Sequence, residues 1–319
     1  MASTPRPMMF DMAEMILPSP DASFEWRLTP FGPSLSCVPL ARHAAHLFTT
    51  RHWALGSSLS SVDDPAAWLE VASAAGVSPD RLVRLRQVHG AAIREARPRM
   101  VLDPVVGGAL NVTRAVTRNV TLDTVLDTVL DEADILISDD PSLALAIQAA
   151  DCLPLLIADP TTGAVAAAHA GWRGLAARVP QVAVEALAKR YGSQPRHLIA
   201  ATGPSIGACC YDIGEDVRAA FETAGFGSAL RRWFLAAPCP TVRNASMAAV
   251  KPIRRADHWF FDGWSAVVEQ LHDAGVRPTH IFSARMCTAS HPSTLCSYRR
   301  DGAPAGRLAG VIRPGVRRR

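Results

Sequence analysis

At 319 residues, with 49% hydrophobic and 19% charged side chains, the chain can bury one large core or two small ones and is too apolar to be disordered. Much of its formal net charge of +4 sits in the tail from Arg313 to Arg319, so the charge is not the footprint of a nucleic-acid groove, and no apolar run reaches the roughly 20 residues of a membrane-spanning helix. Seven cysteines, an odd number without Cys-x-x-Cys spacing, argue against a disulfide framework, and the N-terminal stretch carries acids where a signal peptide needs an apolar run; the expected location is a reducing cytoplasm.

Residues 1–45, rich in Pro and Ser, read as a variable leader. Leu47 to Arg51 is strand-like, and HWALGSSLSS after it is loop-like. Pro65 to Ala75 reads as a helix, with Pro at its start and Gly76 past its end. Leu82 to His89 alternates apolar and polar residues, the period of a half-buried strand. Residues 97–132 hold a degenerate repeat, NVTRAVTRNVT and LDTVLDTVLDE, and read as an insertion. Four strands follow: Ile135 to Ser138, Ala144 to Ala149, Leu153 to Ala158 and Ala164 to His169, with turn chemistry at 160–163. Leu175 to Arg190 has a helical apolar face and Gly192 as its stop. His197 to Ala201 reads as a strand, Glu215 to Ala224 and Trp264 to Ala274 as helices, and Ile281 to Met286 and Leu308 to Ile312 as the last strands. Sequential strands outnumber helices, so the expected sheets are mixed.

The chemistry concentrates in AIQAADCLPLLIADPTTGAVAAAHAGWRG, residues 146–174. Cys152 precedes one strand and His169 ends the next, and a tight return brings such ends together. Two chemistries fit: a Cys nucleophile with a His base, or a zinc site. Asp151, beside the thiol in an apolar run, is costly unless paired, and reads as an acid/base or as an orienter of a ligating His. Arg173 opens a helix and suits an anion such as phosphate, or pairs with a neighbouring acid. The best third ligand is His89, closing LVRLRQVHG. GPSIGACC could cradle an anion or simply turn the chain, and the vicinal Cys209 and Cys210 read as structural. Tyr298, Arg299 and Arg300 suit a substrate rim or a salt-bridged core edge; Trp53, Trp172 and Trp259 read first as core and second as base-stacking surfaces.

QVHG (87–90), ADILIS (133–138), AADCLPLLIADP (149–160), HAGWRG (169–174), GPSIGACCYDIG (203–214) and CTASHPSTLCSYRRDG (287–302) together resemble the multicopper polyphenol oxidoreductase, or laccase-domain, family over residues 45–313. Members of that family are also described as purine nucleoside phosphorylases and peptidoglycan editing factors. The resemblance implies one α+β domain over 46–313, with layered mixed sheets flanked by helices, ahead of a basic tail at 314–319. It implies a zinc site at His89, Cys152 and His169, with Cu2+ able to enter in vitro. It implies phosphorolysis of adenosine, inosine, guanosine or methylthioadenosine, with adenosine deamination, so the partners are a nucleoside and inorganic phosphate rather than nucleic acid or membrane. Arg51 matches the family's arginine near the site, and Arg51 and Arg173 become the expected phosphate holders. The chain departs from the pattern at HWALGSSLSSVDDP, in the length of the 97–132 insertion, and at Asp262, where the family has Asn.

Laccase chemistry needs many imidazoles, commonly as His-x-His, and none of the ten histidines is so spaced; the closest are His43 and His46. Copper-dependent polyphenol oxidation therefore ranks below the zinc enzyme. A Cys152/His169 hydrolase that edits peptidoglycan precursors and a non-catalytic zinc-binding protein are the remaining readings.

Overall fold

The computed structural model describes residues 17–57, 65–98, 131–250 and 257–315. Two six-stranded sheets and one small sheet organise them. The first sheet runs β1 (Phe24–Thr29), β2 (Gly32–Cys37), β3 (Ala45–Thr49), β15 (Leu308–Arg313), β7 (Ala144–Ala149) and β4 (Leu82–Val83). The second runs β14 (Ile281–Ser283), β10 (Ile199–Thr202), β8 (Leu153–Ala158), β9 (Val165–Ala170), β6 (Ile135–Ser138) and β5 (Ile93–Glu95). A third sheet joins β11 (Asp212–Gly214), β13 (His258–Phe261) and β12 (Phe234–Leu235). Pairs β4/β7, β5/β6 and β10/β14 are parallel and the others antiparallel, so the sheets are mixed.

Side-chain alternation sorts the layers. Leu136, Leu156, Val165 and Ala167 of the second sheet share a core with Leu35, Phe48, Leu145 and Ile312 of the first. The alternate residues Ile135, Ile137, Leu155, Ile157, Ala166 and Ala168 face α4 (Val179–Tyr191) and α7 (Gly263–Asp273). On the far side of the first sheet, Ala144, Ala146 and Val311 pack on Trp68 and Val71 of α2 (Pro65–Ala75). The order is helix, sheet, sheet, helices, a mixed α+β fold. Strands buried on both faces carry apolar residues at every position, which accounts for the continuous run at 153–158.

Helix α2 and strands β6, β7 and β8 occupy their expected residues. Four expectations change. The described part of the expected leader over 1–45 is not separate from the domain: β1 and β2 form an antiparallel hairpin on the first sheet, and α1 (Val38–Ala41) links it to β3, while residues 1–16 lie outside the described residues. The strand expected over 82–89 stops at Val83, and the Gln87 side chain then pairs with Gln148, donating to its carbonyl at 2.8 Å and accepting its N–H at 2.7 Å. The helix expected over 175–190 is two, α3 (Trp172–Ala176) and α4, because Arg178 takes φ +61° and Pro180 can donate no helical N–H. Ile281 to Met286 pairs only through Ser283. Helices α5 (Glu215–Thr223), α6 (Leu230–Trp233) and α8 (Tyr298–Asp301) complete the described set. Residues 99–130 of the expected insertion over 97–132, and 316–319 of the expected tail over 314–319, lie outside the described residues. Among the described residues no helix is long and apolar enough to cross a membrane.

Candidate metal centre and its cavity

Strand register brings the first two site residues together. Antiparallel β8 and β9 pair Leu153 with Ala170 and Pro154 with His169, so Cys152, one residue before β8, meets the exit of β9. Gly171 is required there: a Cβ on it would lie 2.8 Å from Cys152 Sγ. His89 arrives from the turn between β4 and β5, at φ +60°. The donor atoms of His89, Cys152 and His169 all lie within 4.8 Å of one another, and the two imidazoles meet edge to face with centroids 4.8 Å apart. His169 is buried, Cys152 half-buried and His89 exposed, so the group is closed behind and open in front.

Asp134 holds this arrangement, a role the sequence reading did not assign. It is 0% exposed and stands just before β6. Its carboxylate accepts the N–H of Val88 at 3.3 Å, of His89 at 3.0 Å and of Gly90 at 2.6 Å. The same carboxylate lies 2.8 Å from His169 Nδ1, and its backbone carbonyl accepts the His169 N–H at 2.8 Å. A proton held on Nδ1 by a carboxylate leaves Nε2 as a ligand. The signal in the sequence was an acid opening an apolar strand, expensive unless bonded. Asp151 is placed otherwise. At φ +92° it accepts from Thr288 Oγ1 at 2.5 Å and from the Arg299 N–H at 2.6 Å, so it ties the C-terminal loop to the site and does not orient a histidine.

The charges are coupled. Burial pushes the Cys152 thiol up, but the imidazolium of His169 and hydrogen bonds from both histidines bring it down to about 6. Burial pulls His169 down, but the Cys152 thiolate and Asp134 raise it to about 9. Burial likewise opposes Asp134 ionisation, yet its bonds to His169 and the 89–90 backbone keep it below the usual carboxylate range. Burial raises Asp151, outweighing its bonds to Thr288 and Arg299. Two imidazoles and a low-pKa thiolate, one imidazole oriented by a carboxylate, fit a borderline-soft ion with one side left open.

The group opens on a cavity of about 760 Å³ that is also lined by Asp151, Tyr211 and Tyr298. Four arginines line it: Arg84, Arg86, Arg299 and Arg307. Arg51 and Arg173 are not among the lining residues. Arg51 donates to the Pro292 carbonyl, and the Arg173 guanidinium stacks 4.3 Å over the Trp172 ring. Trp53 is 1% exposed and offers no surface for a base. Arg300 is a core-edge residue, bonded to the carbonyls of Thr288 and Leu295 and to Asp301. Gly207 of the GPSIG turn is a packing glycine, since a Cβ would sit 2.4 Å from the Trp264 ring.

Residues 54–314 match the family model described as multi-copper polyphenol oxidoreductase laccase. A protein of Deinococcus radiodurans named purine nucleoside phosphorylase is 32% identical over 278 residues, covering 84% of this chain and 88% of its own length. A protein of Streptomyces coelicolor with the same name is 32% identical over 262 residues, 78% of this chain and 84% of that one. The crystal structure of the hypothetical protein YfiH of Bacillus licheniformis superposes with a TM-score of 0.70 at 24% identity, over 91% of this chain and 99% of that chain. The chain therefore belongs to the multi-copper polyphenol oxidoreductase laccase family.

Proposed function

We propose that the protein is a zinc-dependent purine nucleoside phosphorylase, acting on adenosine, inosine, guanosine or methylthioadenosine, with adenosine deaminase activity. The observation that carries the reading is a three-donor group, open on one side, at the wall of a cavity that presents four arginines. The names of the relatives support the phosphorylase assignment. When bound, zinc supplies Lewis-acid polarisation at an open coordination position, the chemistry that deamination of adenine needs. The residues holding it are His89, Cys152 and His169, with Asp134 fixing the His169 proton on Nδ1. Guanidinium groups match phosphate oxygens in pairs, and Arg299 and Arg307 line the cavity whereas Arg51 and Arg173 do not. Asp151 also lines the cavity, and its bonds to Thr288 and the Arg299 N–H hold the C-terminal loop at this wall. The test is incubation with inosine and phosphate, with hypoxanthine and ribose 1-phosphate expected; no phosphate-dependent base release from any of the four nucleosides rejects the reading.

One observation favours a second reading, a hydrolase that edits peptidoglycan precursors: Cys152 Sγ and the His169 imidazole lie within 4.8 Å, and each shifts the other towards its charged form. Alkylation of Cys152 with zinc still bound supports the hydrolase, and protection of the thiol by zinc supports the metalloenzyme. Among the described residues one His–Cys–His group is present and no array of paired imidazoles, which disfavours polyphenol oxidation. Chelation separates catalysis from a purely structural metal: turnover lost with the fold intact means catalysis.

A further inference from the structure

A second cluster of metal-ligating side chains adjoins the loop whose Thr288 holds Asp151. Cys209 and Cys210 follow the GPSIG turn after β10, and Cys287 follows β14. Those strands are parallel neighbours, and a bridge between Ser205 and Cys287 carries the pairing beyond them. Two loops from distant parts of the sequence are thereby held side by side. The three Sγ atoms lie within 4.8 Å of one another, and the residues are 1%, 0% and 0% exposed. All three are free thiols. Backbone N–H groups point at two of the sulfurs, Gly207 to Cys287 at 3.4 Å and Met247 to Cys210 at 3.3 Å. The Ser290 hydroxyl lies 3.6 Å from Cys209 Sγ and 3.7 Å from Cys210 Sγ.

Three converging sulfurs are more than core packing needs, since isolated buried cysteines act as small apolar residues. Amide donors aimed at sulfur favour thiolate over thiol. A tetrahedral ion with metal–sulfur bonds near 2.3 Å would set the sulfurs about 3.8 Å apart, inside the 4.8 Å that bounds the present cluster. We propose that Cys209, Cys210 and Cys287 form a second, closed metal site for one thiophilic d10 ion, Zn2+ or Cu+. Thiolates select such ions over hard cations. Coordination displaces thiol protons to solvent and changes no oxidation state. The Ser290 hydroxyl, which donates to the Ala245 carbonyl at 2.5 Å, is the neighbouring oxygen whose lone pairs face the cluster. Full burial marks the site as structural, whereas the His–Cys–His group is open. Its position gives it a purpose: Thr288, next to Cys287, donates to Asp151, so an ion here clamps the loop that holds Asp151 at the cavity.

The experiment removes the first site. Full-length His89→Ala/Cys152→Ala protein, reduced and shown to be folded by circular dichroism, is titrated with Zn2+, with Co2+, and with Cu+ buffered by bathocuproine. The expected result is one equivalent of Zn2+ or Cu+, and a near-ultraviolet sulfur-to-cobalt band with Co2+. Adding Cys287→Ser should take the equivalent from one to none. Should that variant not fold, the cobalt band of the double variant decides alone. Failure of the folded double variant to bind any of the three ions overturns the proposal.

Discussion

Asp134 carries more of the centre than any ligand, because one carboxylate fixes both the 88–90 turn and His169. Asp134→Asn keeps the shape but turns an amide NH2 towards backbone N–H donors. Zinc affinity should fall about 10–100-fold, as for other orienting partners of metal-bound histidines; unchanged affinity in a chelator competition would remove Asp134 from this role. Cys152→Ala should abolish zinc binding at this site and turnover while leaving the fold intact, and full activity would end both the metal and the thiol-nucleophile readings. The proton balance gives a third test. With Cys152 near 6 and His169 near 9, a metal entering between those values displaces one proton from His169. Affinity should therefore rise about tenfold per pH unit across that window, and more steeply below it, where the thiol is protonated too. A flat profile over the window would mean that His169 is not protonated before the metal enters.

His46 on β3 shows how an element can depend on pH away from the site. Its Nε2 accepts the Cys37 N–H at 2.9 Å and its Nδ1 faces the Ala44 carbonyl at 3.2 Å, so the neutral ring links β3 to the end of β2. Protonating Nε2 would set an N–H against an N–H, and burial lowers the group from 6.5 to about 4. Between those values the unfolded chain binds the extra proton and the folded chain does not. Stability is then complete above about 6.5 and falls as the pH drops towards 4, by roughly 3 kcal/mol in all. Urea unfolding of wild type and His46→Gln through this range should show the slope in the first and its loss in the second. His46 was visible in the sequence only as the neighbour of His43, at the edge of an apparent leader. The β1–β2 hairpin was hidden because GPSLSC, though fully buried, is mostly small residues. The β4 strand was overread because Gln87 continues the pairing through its side chain, which period-2 reasoning cannot detect.

At the scale of the whole molecule, what was legible followed burial. Segments enclosed on both faces, Ile135–Ser138, Ala144–Ala149 and Leu153–Ala158, announced themselves as apolar runs bounded by polar turns. The proposed ligands His89, Cys152 and His169 stood out in the sequence because Cys and His interrupt or close such runs. Arg299 was legible too, read with Tyr298 as a substrate rim; Asp134, the other cavity arginines and the cysteine triad were not, since each depends on loops meeting across the fold. Leu156, 0% exposed between the two six-stranded sheets, tests whether they behave as one body. Leu156→Ala should cost about 2–5 kcal/mol. Unfolding should remain a single transition, and activity should follow the folded fraction; two separated transitions would show that the sheets unfold independently.

Strand β15 inserts between β3 and β7, and the segment before it supplies Arg299 and Arg307 to the cavity. During synthesis β3 and β7 leave the ribosome without the strand that joins them. The first sheet cannot close, nor the cavity gain these arginines, until the chain has been made as far as Arg313. Until then the hydrophobic edges of β3 and β7 stand open to other nascent chains and to chaperones.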